Sequence, residues 1–373
     1  MKIAQIADLH IDENNRFSDT LACLDWIIDD AIKADVKLFL APGDFFGKDT
    51  SHRSTPRERK EWLARLQTMT KQGEVVGCYG NHDAPEDLDI YEGLAGVRMF
   101  NKPGVAFLSD GTQIAVLPYP HKASILKGKV VKDIEESNQA VAEELKKTID
   151  DLAKASPLIL IAHITVSGSE TSTGQLLLGG DIQVGSEVLE SSGAAYIALG
   201  HIHKAQKIGK CYYSGSINKM NFGEKEDKGY NLITIEDGKL VSVEFRKAPA
   251  RELIFVEGKF QGDKIQFAMP IKVSDDLLSI ENQIIAGADV RFRYFVNEED
   301  LPKVNLDEVK EIFKDAHLLQ IERSVNPKIQ IRSQEIATAQ TIAEKFQVWT
   351  KIAGIDNAAM VAGCVEKLNQ IEI

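Results

Sequence analysis

Cys78-Tyr79-Gly80-Asn81-His82-Asp83 closes a run of strand-forming residues that begins at Glu74. A strand that stops at glycine and then presents Asn, His and Asp sets three metal-binding or proton-moving side chains in a loop beyond its carboxyl end. That is where ligands bind in open α/β sheets. Taken alone, such a tetrapeptide reads as an ordinary turn, because Gly, Asn and Asp are turn residues. The neighbouring strands decide between the two readings.

Upstream, the apolar run Lys2–Ala7 ends in Asp8-Leu9-His10, and Val36–Ala41 ends in Pro42-Gly43-Asp44. Downstream, Leu158–Ala162 ends in His163, and Ala194–Leu199 ends in Gly200-His201-Ile202-His203. The chain holds 8 histidines, and those at 10, 82, 163, 201 and 203 all fall at strand ends, in a set that also includes Asp8, Asp44 and Asn81. Core histidines are isolated and hydrogen-bonded, so this clustering predicts a dinuclear metal site built from Asp8, His10, Asp44, Asn81, His163, His201 and His203. Two divalent ions about 3.5–4 Å apart need a bridging carboxylate to hold their repulsion in check. Mixed nitrogen and oxygen donors suit manganese, iron or zinc, and so many imidazoles disfavour an all-oxygen magnesium site.

Between the strands run helices. Ser18 is read as the cap of a helix with Leu21, Leu24, Ile28 and Ala31 on one face. Thr55-Pro56-Arg57-Glu58 is a capping box with proline at the first helical position, and Gly73 is a C-cap. Strand and helix in alternation predict parallel strands with crossover helices. Hairpins are expected at Asp110-Gly111 and Asp237-Gly238, with a long polar helix over about Val131 to Ala155. Ala248-Pro249-Ala250 reads as a linker to a small α/β unit, and Ser333 as the cap of the first of two C-terminal helices.

Hydrophobic residues make up 43% of the 373 and charged residues 27%, the composition of a globular chain. No apolar run approaches the ~18–20 residues needed to cross a bilayer. The amino terminus meets Asp8 too early for a signal peptide, so a cytoplasmic protein without membrane association is expected. The 4 cysteines are scattered, as reduced core thiols would be. A net charge of −12 argues against nucleic-acid binding by bulk positive charge, though not against a local basic strip. Two groups could form one: Arg53, Arg57, Arg59 and Lys60, and the lysines at 204, 207, 210, 219, 225 and 228. Solvated faces are the plainer explanation for scattered lysines.

In their order, Asp-x-His, Gly-Asp, Gly-Asn-His-Asp, a strand-end His and Gly-His-x-His over residues 8–203 resemble the calcineurin-like metallophosphoesterases. Tyr213-Ser214-Gly215-Ser216, Asn221-Phe222-Gly223-Glu224 and Lys228-Gly229-Tyr230 resemble, more narrowly, the nuclease subunit of the SbcCD type, the bacterial and phage counterpart of the eukaryotic meiotic-recombination nuclease. The resemblance implies an α/β fold: a metallophosphoesterase β-sandwich flanked by helices (1–248), a small α/β capping domain (252–330) and C-terminal helices (333–373) that bind an ATPase partner. It implies a metal-dependent DNA exonuclease or endonuclease of recombination, repair or replication, hydrolysing phosphodiesters with a metal-activated water. Two divalent ions, manganese first among them, would be its cofactors. DNA and an SbcC-type coiled-coil ATPase would be its partners, and it would form a homodimer.

Carried over residue by residue, Asp8, His10, Asp44 and His203 would hold one ion. Asp44, Asn81, His163 and His201 would hold the other, with His82 catalytic and Asp83 orienting it. Two positions depart from the pattern. Gly47 stands where some relatives carry a second catalytic histidine, with His52 read as a loop residue nearby, and Ile217 follows the Ser-Gly-Ser turn where relatives have proline. The alternative is another dinuclear-metal phosphodiesterase or phosphatase acting on nucleotides or phosphoproteins, which would not need the region after Pro249.

Overall fold

The computed structural model describes residues 1–47, 53–91, 93–129, 131–173, 175, 182–269, 271–274, 277–280, 283–327 and 334–371. His52 and Ser333, both singled out above, lie outside them.

The first sheet takes β1 (Lys2–Gln5), β2 (Leu38–Pro42), β3 (Glu74–Cys78) and β4 (Val97–Phe100). The second takes β5 (Gly104–Phe107), β6 (Gln113–Leu117) and β7 (Ile159–His163). A short parallel pair, β8 (Thr165–Val166) and β9 (Gln183–Val184), follows, and then β10 (Tyr196–Gly200), β11 (Gln206–Ile208) and β12 (Cys211–Tyr213) of the second sheet. The chain returns to the first sheet with β13 (Gly229–Glu236) and β14 (Lys239–Lys247). The strand orders are β14-β13-β1-β2-β3-β4 and β11-β12-β10-β7-β6-β5. As expected, β1 to β3 run parallel, with helices Phe17–Lys33 and Pro56–Gln72 in their crossovers, and β4, which the sequence reading did not include, joins β3 in parallel. The turns at Gly111 and Gly238 join antiparallel pairs β5/β6 and β13/β14.

The side-chain period of two explains why the central strands are apolar throughout. In β2, Leu38 and Leu40 join the core between the sheets while Phe39 and Ala41 face the helices of the first sheet. In β7, Ile159 and Ile161 point inward, and Leu160 and Ala162 meet the helix Ile134–Ala153. Strand β10 divides likewise, with Tyr196 and Ala198 inward and Ile197 and Leu199 outward. Both faces are covered, so no polar alternation survives. The result is a helix–sheet–sheet–helix stack, a sandwich flanked by helices as expected, and the carboxyl ends of β1, β2, β3, β7 and β10 gather along one edge.

One polar seam interrupts the inter-sheet core. Gln5 donates from Nε2 to the carbonyls of Leu199 and Tyr212, each at 2.9 Å. Its Oε1 accepts from the Tyr196 hydroxyl and from Asn231 Nδ2 at 3.3 Å. A buried amide is tolerated because its groups are satisfied. Here that satisfaction ties β1 to β10 and β12, across the two sheets.

Local signals hold with two corrections. Thr55 accepts from the Glu58 N–H and Glu58 from the Thr55 N–H, the reciprocal box expected. The first helix starts at Phe17 with Arg16 as N-cap in the left-handed region, so Ser18 is inside it; Arg16 is held there by Asp19 and Asp289. Gly73 follows its helix with extended backbone, so positive φ is not what requires glycine. A Cβ there would collide with the Lys37 carbonyl oxygen.

The chain divides into two compact units. One comprises Met1–Val256, Met269–Phe292 and Val309–Ile321; the other comprises Glu257–Ala268, Arg293–Glu308 and Glu322–Ile373. In the second unit Phe260 packs edge-on to Tyr294, and helices Gln334–Thr338, Ile342–Ile352 and Ala358–Ile371 end the chain. No helix of the described residues is long and apolar enough to cross a membrane. Gly73→Ala should cost about 1–3 kcal/mol of overpacking. A lower urea midpoint at unchanged slope is expected, and an unchanged midpoint would mean that the Lys37 strand end yields freely.

Candidate metal centre

Side chains at the strand ends must turn back over the sheet edge to meet, and the backbone shows how. Asp8, His10, Asp44 and His201 are non-glycine residues with φ of 52°, 46°, 54° and 96°. Such conformations are costly for L-residues and cluster at functional sites. The turns also need close approach: a Cβ on Gly80 would strike Asp44 Oδ1, and one on Gly200 would strike the Pro42 carbonyl.

Two donor groups result. Asp8, His10 and His203 form one, and Asp44, His163 and His201 the other; in each, one ligand atom per residue lies within 4.8 Å of the rest. Asp44 Oδ2 lies 3.8 Å from His10 Nε2 and 3.4 Å from His163 Nε2, so this one oxygen stands between the groups. Asn81 Oδ1 is 3.1 Å from His163 Nε2 and 2.9 Å from His201 Nδ1. His163 donates from Nδ1 to the Pro42 carbonyl at 2.6 Å, which turns its Nε2 toward Asp44. All seven residues expected as ligands therefore meet in one place. His82 joins them, its ring 5.2 Å edge-on from His10 and its backbone N–H donated to Asp44 Oδ1 at 2.9 Å. His10, Asp44, Asn81, His82, His201 and His203 line a cavity of about 360 Å³ together with Asp12, Gln175, Met220 and Asn221.

The donor set fits divalent cations on electrostatic grounds. Burial pushes Asp8 up to about 7, aided by the charges of Asp44 and Asp83. Burial lowers His10 to about 4 and, with His10 and Lys228 nearby, holds His203 well below its usual range. Burial would lower His163 too, but the Asp44 carboxylate beside it raises it to about 9. Asp8 Oδ2, His82 Nδ1 and His203 Nδ1 are buried polar atoms with no hydrogen-bond partner. Unsatisfied buried groups are expensive, and cations would satisfy the carboxylate among them while neutralising the cluster.

Several expectations change. Asp83 does not orient His82: its carboxylate accepts from the backbone N–H of Asp44 (2.8 Å), Phe45 (2.9 Å) and Gly80 (2.8 Å), holding the loop that carries the shared aspartate. Gly47 has no space for a larger residue, since a Cβ would stand 2.9 Å from Asp12 Cβ and 3.2 Å from the His10 carbonyl oxygen. Lys219 and Lys228 are buried rather than part of a basic strip. Lys219 pairs with Glu252 at 2.6 Å, and Lys228 with Glu224 at 2.8 Å and Glu226 at 2.9 Å. Lys228 also donates to the His203 carbonyl at 3.1 Å, while Glu224 accepts from the Asn221 N–H at 2.9 Å. The Asn-Phe-Gly-Glu and Lys-Gly-Tyr motifs thus brace the turn bearing His203. In the other basic group, Arg59 is paired with Asp87, Arg53 with Glu86, and Arg57 lies over the Phe17 ring. Tyr213 is core, its hydroxyl bonded to the backbone of Ile164 and Val166.

Two contributors escaped sequence reading. Gln175 donates to the His201 carbonyl at 2.6 Å and accepts from the His203 N–H at 3.1 Å, clamping the Gly-His-x-His turn. Tyr119 packs on the rings of His201 and His163, with centroids 5.6 and 6.0 Å away, and its N–H donates to the Tyr79 carbonyl. It follows the end of β6, so a sixth strand end serves the site; Pro118-Tyr119-Pro120 was the signal available.

Residues 1–205 match the calcineurin-like phosphoesterase family, and the chain belongs to it. Over 292 residues it is 26% identical to the SbcD component of the nuclease SbcCD from Staphylococcus epidermidis, covering 73% of this chain and 76% of that protein. That likeness supports the SbcD-type branch. Among solved structures, a dimetal phosphatase from Danio rerio matches 66% of this chain and 99% of its own (9% identity, TM-score 0.39). GAP50, the anchor in the inner membrane complex of Plasmodium, matches 68% of this chain and 90% of its own (11% identity, TM-score 0.37).

A cation must displace a proton from His163 at any pH below about 9, and from Asp8 as well below about 7. Affinity should therefore fall about tenfold per pH unit on acidification toward neutrality and more steeply below it. Manganese titration calorimetry in buffers of different ionisation enthalpy should register the released protons. Affinity constant between about pH 6 and 8.5 would contradict this electrostatic account.

Proposed function

We propose that this phosphoesterase is a metal-dependent DNA nuclease, the nuclease subunit of an ATPase–nuclease complex in recombination, repair or replication. The observation that carries the reading is the shared carboxylate: Asp44 Oδ2 stands between two donor groups while its Oδ1 holds the His82 backbone. A site for two cations with an imidazole beside it suits in-line attack of water on a phosphodiester. DNA as substrate is supported by likeness to the SbcCD component over 292 residues, a span longer than the phosphoesterase match.

In this reading Asp8, His10, Asp44 and His203 hold one ion and Asp44, Asn81, His163 and His201 the other. The mixed donors suit manganese, iron or zinc, the family resemblance puts manganese first, and when bound the pair supplies charge neutralisation and an acidified water. The chain's own groups do the rest. Asp83 fixes the Asp44 loop, Gln175 and Lys228 fix the turn carrying His201 and His203, and His82 meets the phosphate or protonates the leaving oxygen. The protein would act in the cytoplasm as a homodimer. The rival, a phosphatase of nucleotides or phosphoproteins, shares the site; linear DNA with manganese, with and without chelator, beside a simple chromogenic diester, separates the two.

Partner docking is assigned to the last helices, with residues 252–330 as capping domain. In Ile342–Ile352 the residues Trp349 and Ile352 are 48% and 53% exposed, and Met360 in the next helix is 49% exposed. Helices of this length need such faces covered, and the ATPase would cover them. A chain ending at Arg332 should keep manganese-dependent hydrolysis of a short single strand, yet fail to co-elute with the ATPase. Co-elution of the truncated chain would move the interface elsewhere.

For the site itself, His82→Ala should retain manganese binding and lose about 10²–10³ in cleavage rate. Asp44→Ala should lose both. Calorimetric titration of the two variants decides: equal loss of metal would show that His82 is a ligand or a support, not a catalytic group.

A further inference from the structure

Behind Tyr119 lies a second cavity, of about 320 Å³, that the phosphoesterase reading does not use. Its walls are Tyr119, Pro118, Pro120, Ile125 and Leu145, with more apolar than polar surface. Asn101, Ser124 and Thr148 stand among them with hydrogen-bonding groups. Glu144, also in the wall, is paired with Lys129 at 3.1 Å. The same Tyr119 ring lies against His201 and His163, and on another side meets the ring of His121 at 5.2 Å. The metal centre and this cavity thus share one aromatic wall.

We infer that this cavity receives a nucleobase of the substrate flanking the phosphate held at the metal centre, with Tyr119 as the surface on which it rests. The inference rests on the nuclease reading and names how that site grips its substrate. Three observations select a base over other occupants. The cavity adjoins the reacting centre through the Tyr119 ring, which lies against His201 and His163. An aromatic ring flanked by two prolines offers flat apolar surface, and base–aromatic stacking accepts any base because every base has a π-face. Among the polar groups of the wall, which include Lys102 and the Lys129-paired Glu144, Asn101, Ser124 and Thr148 can meet the polar edge of a base. Such a grip is independent of net charge, which suits a chain at −12.

The test compares ligands with and without a base. Binding of deoxyadenosine 5′-monophosphate and of deoxyribose 5-phosphate is measured by calorimetry on the full chain with manganese, and an oligonucleotide is compared with its counterpart bearing tetrahydrofuran abasic residues around the scissile bond. The base should improve binding and kcat/KM by about tenfold. Thr148→Trp and Ser124→Trp, two variants that fill the cavity from different elements, should abolish that preference while manganese still binds. Cleavage of DNA indifferent to the base would overturn the cavity assignment and leave the nuclease reading standing. A protein that cleaves no DNA yet prefers the nucleoside monophosphate, with the preference lost in both variants, would keep the base pocket and remove the nuclease reading. Equal binding of the two small ligands overturns the pocket in either case.

Discussion

The site depends on one buried carboxylate. Asp83 collects backbone N–H groups from Asp44, Phe45 and Gly80, residues that follow two different strands. Neither loop has a ladder to satisfy those donors, and both must lie against each other with only glycine-sized gaps. Burial and the nearby Asp44 charge push Asp83 up to about 7, while the donated hydrogen bonds favour its charged form. Losing it would strand several buried donors at once, each worth about 1–3 kcal/mol. Asp44 would then lose the geometry that lets one oxygen serve two groups.

Strain and rigidity go together here. Four of the metal-facing residues hold positive-φ backbone, which Asp and His adopt more readily than most residues but still at a cost. That conformation persists because the surroundings over-determine it: the Asp8 N–H donates to the Gly43 carbonyl at 3.2 Å, the His10 N–H to the Asp44 carbonyl at 3.1 Å, and the His201 N–H to Asp8 Oδ1 at 2.9 Å. Loops of separate strands thereby brace one another, and the sandwich core beneath gives them a fixed base.

Much of this was legible in the sequence. Central strands announce themselves as unbroken apolar runs, and each ends in a residue with donor chemistry, so the residues that meet at the site could be named before any contact was known. What could not be read were interactions whose partners lie far along the chain. Asp83 has the look of a companion to its neighbour His82, but its partners after β2 are 37 to 39 residues away. Lys219 and Lys228 have the look of surface charges, and only the fold brings Glu252 and Glu224 beside them. Ser18 has the chemistry of a cap, yet Arg16 takes that place because Asp19 and Asp289 hold it. Tyr119 carries no motif, and only the adjacency of β6 and β7 brings it to the histidines.

The two donor groups have a mechanical aspect. Asp8 and His10 leave the first sheet and His203 the second; Asp44 leaves the first, His163 and His201 the second. Each cation would therefore rivet one sheet to the other at the carboxyl ends of their strands, complementing the Gln5 seam between them. Ligands that bind only the folded state add stability in proportion to the logarithm of their concentration over Kd. Loading the centre would thus resist shear between the two halves of the sandwich, and starving it of metal would loosen that edge first.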